Sequence, residues 1–238
     1  MDQTRDFDFQ NGEILLIDKP RGWSSFDVVR KLKKGVNAKI GHAGTLDPLA
    51  TGLMILATGP FTKKISEFQD MTKEYTGTIF LGATTASFDR ETEPEDLMDI
   101  SGINEEGIIN AAKTFVGKIL QVPPAFSAIK IDGKRSYKLA RKGKAPEMKA
   151  RELEILEFEI TKIELPLVYF KVVCSKGTYI RSLANDFGKL LGVGAYLYDL
   201  CRTKIGDSKL EDAWQVDELA RHIFEISKKV KETDADIS

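Results

Sequence analysis

The chain has little of what metal-centred, disulfide-stapled or membrane-spanning proteins require. Two cysteines, Cys174 and Cys201, and two histidines in 238 residues are too few for a disulfide framework, and nothing resembles a metal-ligand cluster. No metal and no cofactor are therefore expected. Long hydrophobic runs are missing: Leu53–Ala57 is typical and is stopped by Thr58-Gly59-Pro60, whereas a spanning helix needs about 20 apolar residues. No membrane association is expected. The opening Met1-Asp2-Gln3-Thr4-Arg5-Asp6 lacks a basic stretch followed by an apolar one, so no secretory signal is visible and a cytoplasmic location is expected. What is present is ordinary globular material, 42% hydrophobic and 30% charged. That balance excludes a disordered tail or a coiled coil and is sufficient for a packed core.

Net charge is also nearly absent, with 35 basic against 36 acidic residues, yet the charges are segregated. Lys19–Gly41 holds Lys19, Arg21, Arg30, Lys31, Lys33, Lys34 and Lys39 against Asp27 alone. Lys130–Arg151 holds nine basic residues against Asp132 and Glu147, and eight acids crowd into Asp89–Glu106. One such run is most simply a solvated helix face. Two separate basic blocks favour a polyanionic partner, in particular a nucleic acid, despite the neutral total.

The periodicities alternate between strand and helix. Residues 1–12 carry no pattern and are expected to fray. Glu13–Asp18 reads as a buried strand, and Ser24 with Asp27 three residues on reads as the capping box of a helix ending at Gly35. Gly41–Gly52 reads as a glycine-punctuated loop, Leu53–Ala57 as a strand, and Phe61–Phe68 as a helix. Tyr75–Leu81 predicts a strand and Glu105–Phe115 a helix. Glu152–Ile163 and Val168–Cys174 predict paired strands. In Thr178–Leu191, Ile180, Leu183, Ala184, Phe187 and Leu191 recur at helical spacing. Ala195–Ile205 is a further strand, followed by a helical and then polar end. The fold class is mixed α/β or α+β around one main sheet.

The densest chemical signal is Gly41-His42-Ala43-Gly44-Thr45-Leu46-Asp47-Pro48-Leu49-Ala50-Thr51-Gly52. Its glycines permit positive φ and close approach of a ligand to the backbone. Pro48 disfavours the α region for Asp47, presenting the carboxylate from an extended or turn conformation. Spacing alone equally allows Asp47 as a helix N-cap with Pro48 as the first helical residue.

This stretch resembles the catalytic motif GHxGTLDPxAxG of the TruB-type tRNA pseudouridine synthases. Four more blocks resemble the family in its own order: Lys19-Pro20-Arg21-Gly22-Trp23-Ser24-Ser25, Lys73-Glu74-Tyr75, Pro123–Lys130 with Gly133 and Tyr137, and Cys174–Leu183 with Asp186 and Gly188. A lone motif is a weak signal; five in register over roughly Glu13 to Trp214 are specific.

The resemblance implies a pseudouridine-synthase-like fold with a mixed, mainly antiparallel sheet, residues 13–238 forming a single catalytic domain. It implies an isomerase that flips a uridine out of the T-loop of tRNA (position 55), cuts its N1–C1′ bond and rejoins the base through C5. Asp47 would be the catalytic carboxylate, acting as a nucleophile or removing a proton from the sugar. Tyr75 would stack on the uracil, although a strand tyrosine is more commonly core. Arg181 would pair with Asp47. A cation in the first turn of a helix opposes the helix dipole and so asks for a carboxylate partner. His42 would fill the space left by the flipped base, though by itself it reads as a loop histidine. Lys19 and Leu200 match pocket positions, and Tyr179 and Lys130 match RNA-binding ones. The segment 124–151 matches a basic insertion that closes over the T-arm. Ala213–Ser238 is too short for the PUA domain of many relatives, so a short form without that domain is expected; a monomer is also expected. Two other functions remain open at this stage: an RNA-folding assistant in which Asp47 is dispensable, and a hydrolytic glycosylase.

Overall fold

The structure, a computed structural model, describes residues 6–127, 129–131, 133–141, 146 and 148–236. The first part of the chain runs through β1 (Ile14–Lys19), α1 (Ser25–Lys33), β2 (Ile40–Ala43), β3 (Thr51–Thr58), α2 (Ile65–Asp70) and β4 (Lys73–Leu81). The middle holds β5 (Thr84–Thr85), β6 (Pro94–Glu95), α3 (Glu105–Thr114), β7 (Gly117–Gln121), β8 (Lys130–Ile131), β9 (Lys134–Arg135) and α4 (Ser136–Ala140). The last part holds β10 (Arg151–Glu164), β11 (Leu167–Cys174), α5 (Ile180–Leu191), β12 (Ala195–Ile205), β13 (Ser208–Lys209), β14 (Trp214–Gln215) and α6 (Val216–Asp236). The fold is mixed α/β with a large, mostly antiparallel sheet. Its contacts divide into two compact units, 1–73 with 201–238, and 74–200. β4 and β12 each run across that division.

In the first unit, β1 pairs antiparallel with β3 and parallel with β14, and β3 also pairs with β2. β3 is apolar from Leu53 to Ala57 because both its faces are covered. Met54 and Leu56 join Leu15, Ile17, Val28, Leu32, Leu219 and Ile223 on one side. Leu53 and Ile55 join Ala43 and Ile205 on the other. Each such side chain contributes about 1.5–3 kcal/mol by leaving water. The capping box of α1 forms as its sequence predicts, with Asp27 N–H donating to Ser24 Oγ and Ser24 N–H donating to Asp27 Oδ2.

Two expectations change here. Residues from Phe7 onward do not fray: Phe7 stacks on Phe9 and meets His222 edge-on, and both phenylalanines pack against the core. Two aromatics at alternate positions suffice to dock a segment that has no longer period. Gly41–Gly52 is not all loop, because Ile40–Ala43 pairs antiparallel with Thr58–Ile55 as β2, in a four-residue strand too short to show alternation.

In the second unit, β10 lies between β11 and β7, antiparallel to both. Val168, Phe170, Val172 and Cys174 of β11 are buried alternately, as a half-covered strand requires. A register shift between Ile155 and Glu157 moves the buried face of β10 from Leu153 and Ile155 to Phe158. Phe158 then contacts Phe115, Phe170 and Phe187 at centroid distances of 5.6–6.2 Å. These rings seat α3 and α5 on the sheet. The left-handed Gly192, φ 75°, closes α5.

Candidate active site

Asp47 occupies a turn, with Ala50 N–H donating to its carbonyl (3.1 Å). Pro48 takes the second turn position that its fixed φ suits, which overturns the reading of Pro48 as the first residue of a helix. The Asp47 residue is half-buried. The loop around it is pinned at alternate residues. Ser25 Oγ, buried at the start of α1, accepts from Leu46 N–H (2.9 Å) and donates to Leu46 C=O (3.2 Å). Gly22 N–H donates to Pro48 C=O (2.8 Å). The motif around Lys19–Ser25 therefore sets the backbone on both sides of Asp47.

Lys19 is fully buried at the end of β1. Its ammonium donates to the carbonyls of Trp23 (2.6 Å), Pro20 (3.0 Å) and Pro48 (3.4 Å). Burial pulls its pKa down to about 8, against the opposing pull of the Asp47 charge. It is thus still mainly a cation at neutral pH.

His42 lies on β2 opposite Leu56, half-buried, with Nδ1 buried and without a hydrogen-bond partner among the described residues. Burial first, and the Arg202 charge second, lower its pKa, so the neutral ring is favoured. Arg202 was not legible as a site residue in the sequence. It is almost fully buried on β12, where its Nε donates to Leu53 C=O (2.7 Å) and its Nη2 to Gly44 C=O (3.2 Å). A dibasic-like Cys201-Arg202-Thr203-Lys204 string gives no local sign that one of its cations turns inward.

The second unit carries the other predicted residues. Arg181, the second residue of α5, is buried and donates to Ser87 C=O (3.1 Å) and Phe126 C=O (2.9 Å). Its Nε stands 3.5 Å from Asp89 Oδ2. Asp89 is held by Ser87 Oγ, which donates to its Oδ1 at 2.6 Å. A carboxylate thus does accompany the cation at the start of α5; the one described in contact with it is Asp89, a residue the sequence reading placed only in an acidic loop. Tyr179 caps the same helix, pinned by a reciprocal pair with buried Gln121: N–H to Oε1 (2.8 Å) and Nε2 to C=O (3.1 Å). Tyr75 is buried on β4 and Leu200 half-buried on β12. Lys130 forms part of β8, and its side chain lies outside those described, as do Lys142 and Lys144 of the basic segment. Elsewhere in the basic blocks, Arg30 pairs with Asp27, Lys31 with Asp217 (2.7 Å each) and Arg141 with Glu91 (2.5 Å). Those pairs leave less free positive charge than composition suggests. Among the described residues no group of three possible metal ligands occurs, and no helix is long and apolar enough to cross a membrane.

Residues 30–180 match the family model described as TruB family pseudouridylate synthase, N-terminal domain. A relative in Phocaeicola vulgatus named tRNA pseudouridine synthase B is 52% identical over 88% of this chain and 92% of its own. One of the same name in Flavobacterium johnsoniae is 55% identical over 87% and 93%. Among solved structures, a Cbf5-Nop10-Gar1 complex matches with TM-score 0.68 and 30% identity over 90% of this chain. An H/ACA RNP bound to a substrate RNA containing 2′-deoxyuridine matches with TM-score 0.67 and 29% identity. The chain spans about half the length of those two solved chains.

Proposed function

Since the chain belongs to the TruB family of pseudouridylate synthases, we propose that it acts on the T-loop uridine at tRNA position 55, with Asp47 as the catalytic carboxylate. It is an isomerase that makes pseudouridine in tRNA. The reaction conserves atoms: the N1–C1′ bond breaks, the base turns, C5 bonds to C1′, and the proton leaving C5 is balanced by one gained at N1. A stacked uridine hides these atoms, so the nucleotide is extruded at a cost of a few kcal/mol.

The observation that carries the assignment is the half-buried Asp47 on a loop fixed at Leu46 and Pro48 by Ser25, Gly22 and Lys19. A carboxylate carried on a backbone fixed in this way needs less reordering when the ribose arrives, and such pre-organisation lowers the barrier. In this reading Tyr75 stacks on the uracil and Leu200 lines the base. Arg181, oriented by Asp89, is the cation assigned to the carboxylate. His42, kept neutral, inserts where the base had been, at little desolvation cost compared with a charged ring. Lys19 holds the loop, and Tyr179 and Lys130 contact RNA. The basic segments meet phosphates of the T-arm, the enzyme works as a monomer, and the cytoplasm, where tRNA is found, is its location.

The test is to incubate the protein with an unmodified tRNA transcript and map pseudouridine along it. Modification at the T-loop uridine alone supports the reading; modification elsewhere, or none, rejects it. Binding of the same transcript should weaken steeply as salt rises, because phosphate contacts release counterions.

A further inference from the structure

We propose that Arg202 is a positioning residue that ties together the two ends of the segment carrying Asp47. Its guanidinium reaches Gly44 C=O, three residues before Asp47, and Leu53 C=O, six residues after it. One rigid planar group thereby fixes the separation of the two ends, its donors held at a set spacing by the guanidinium plane. The backbone beside it is equally constrained. In the parallel pairing of β12 with β3, Arg202 faces Gly52. A Cβ at Gly52 would stand 2.4 Å from Arg202 C=O and 2.7 Å from its N, so only glycine lets the strands approach this closely. Gly44 has φ 78°, the left-handed conformation, and a Cβ there would face the guanidinium at 3.5 Å.

Burying a guanidinium is expensive, and stability alone does not explain it, since apolar residues of similar volume often serve as well. Among the described residues Arg202 makes no ion pair with a carboxylate. Its donors go instead to one carbonyl oxygen of the loop, at Gly44, and one at the start of β3, at Leu53. Ser25 and Gly22 fix the segment near its middle, and Arg202 fixes it at both ends. The role rests on the assignment of Asp47 as the catalytic carboxylate.

Two substitutions test it, Arg202→Met, which keeps the length and removes the donors, and Arg202→Lys, which keeps the charge and loses the fork. The readouts are single-turnover pseudouridine formation, tRNA affinity, and amide hydrogen exchange of the intact protein. With Arg202→Met the single-turnover rate should fall about 100-fold while the tRNA dissociation constant stays within about threefold, the pattern of a misplaced catalytic group. Exchange at Thr45, Leu46 and Asp47 should quicken about tenfold with β10 and β11 unchanged, a local loosening rather than global unfolding. Arg202→Lys should recover less than about a tenth of the lost rate, since it spans only one of the two carbonyls. The His42 ring should titrate higher in Arg202→Met, as the Arg202 charge is one of the causes depressing it.

A wild-type rate in Arg202→Met overturns the proposal, and so does a uniform rise in exchange across the molecule. Should Arg202→Met not fold, Arg202→Lys decides: near wild-type turnover with unchanged loop exchange rejects the role. If the wild-type protein makes no pseudouridine, the functional assignment fails, and the exchange measurement still shows whether Arg202 holds the loop.

Discussion

The Nε of Arg181 lies 3.5 Å from the Oδ2 of Asp89, with both side chains more than nine-tenths buried. The pair joins residues 92 positions apart in sequence and fixes the start of α5 against the turn that follows β5. Ser87 serves both members, its carbonyl accepting from Arg181 and its hydroxyl donating to Asp89. Removing one partner of such a pair strands the other's charge, which costs about 3–5 kcal/mol. Asp89→Ala should lower the unfolding free energy in urea by that amount; a loss under about 1 kcal/mol, the value of a surface pair, would mean that the pair is well solvated.

Lys19 makes stability depend on alkaline pH. Its folded pKa is about 8 against an ordinary 10.5, chiefly through burial. Between these values the unfolded chain holds a proton that the folded chain has released, so stability rises with pH. Below about 8 both states are protonated and the penalty for a buried cation is fully present. Urea denaturation of the wild type and Lys19→Met from pH 7.5 to 10.5 should show the wild type gaining on the variant across that window. Parallel curves would place the Lys19 ammonium in contact with water.

Ser25 gives a separation of rate from binding. Ser25→Ala removes the acceptor for Leu46 N–H and the donor to Leu46 C=O. An unsatisfied buried backbone group costs about 1–3 kcal/mol. Thermal unfolding should fall by several degrees, at about 2–4 °C per kcal/mol for a chain of this size. Single-turnover tritium release from C5-labelled uridine should slow while tRNA affinity holds, because the backbone group left unsatisfied, at Leu46, adjoins Asp47 and the substitution removes no basic side chain. Equal losses in rate and affinity would contradict this.

Gly52→Ala should be far more damaging than an ordinary surface change. Its Cβ would meet Arg202 backbone at 2.4 Å with φ at 101°. Neither the strand pairing nor the torsion accommodates it, so a loss of at least about 2 kcal/mol is expected. Denaturant unfolding measures it; an unchanged midpoint would mean that β3 and β12 separate freely.

Where local chemistry decides the conformation, the sequence was a good guide. The Ser24–Asp27 capping box, the apolar stripe of α5 and the hairpin of β10 and β11 each follow from spacing within a few residues. The segment around Asp47 was equally visible, through its glycines and Pro48 and through a family motif. What stayed hidden depends on distant partners. Asp89 reads as one of eight acids in a solvated loop until Arg181 is brought beside it. Arg202 reads as a surface cation because nothing nearby in sequence reveals the Gly44 and Leu53 carbonyls that receive it. Lys19 matches a position beside the catalytic loop by family resemblance, but its three carbonyl partners come from two separate turns, at Pro20–Trp23 and at Pro48, whose meeting no periodicity encodes.

The most direct measurement compares wild type and Asp47→Asn on the same unmodified tRNA transcript, recording tritium release from C5, pseudouridine at the T-loop uridine, and tRNA affinity. Wild type should release tritium and modify that site. The variant should be slower by at least about 10³-fold while still binding tRNA. Pseudouridine formed by Asp47→Asn at the wild-type rate would remove Asp47 from the chemistry and the account with it.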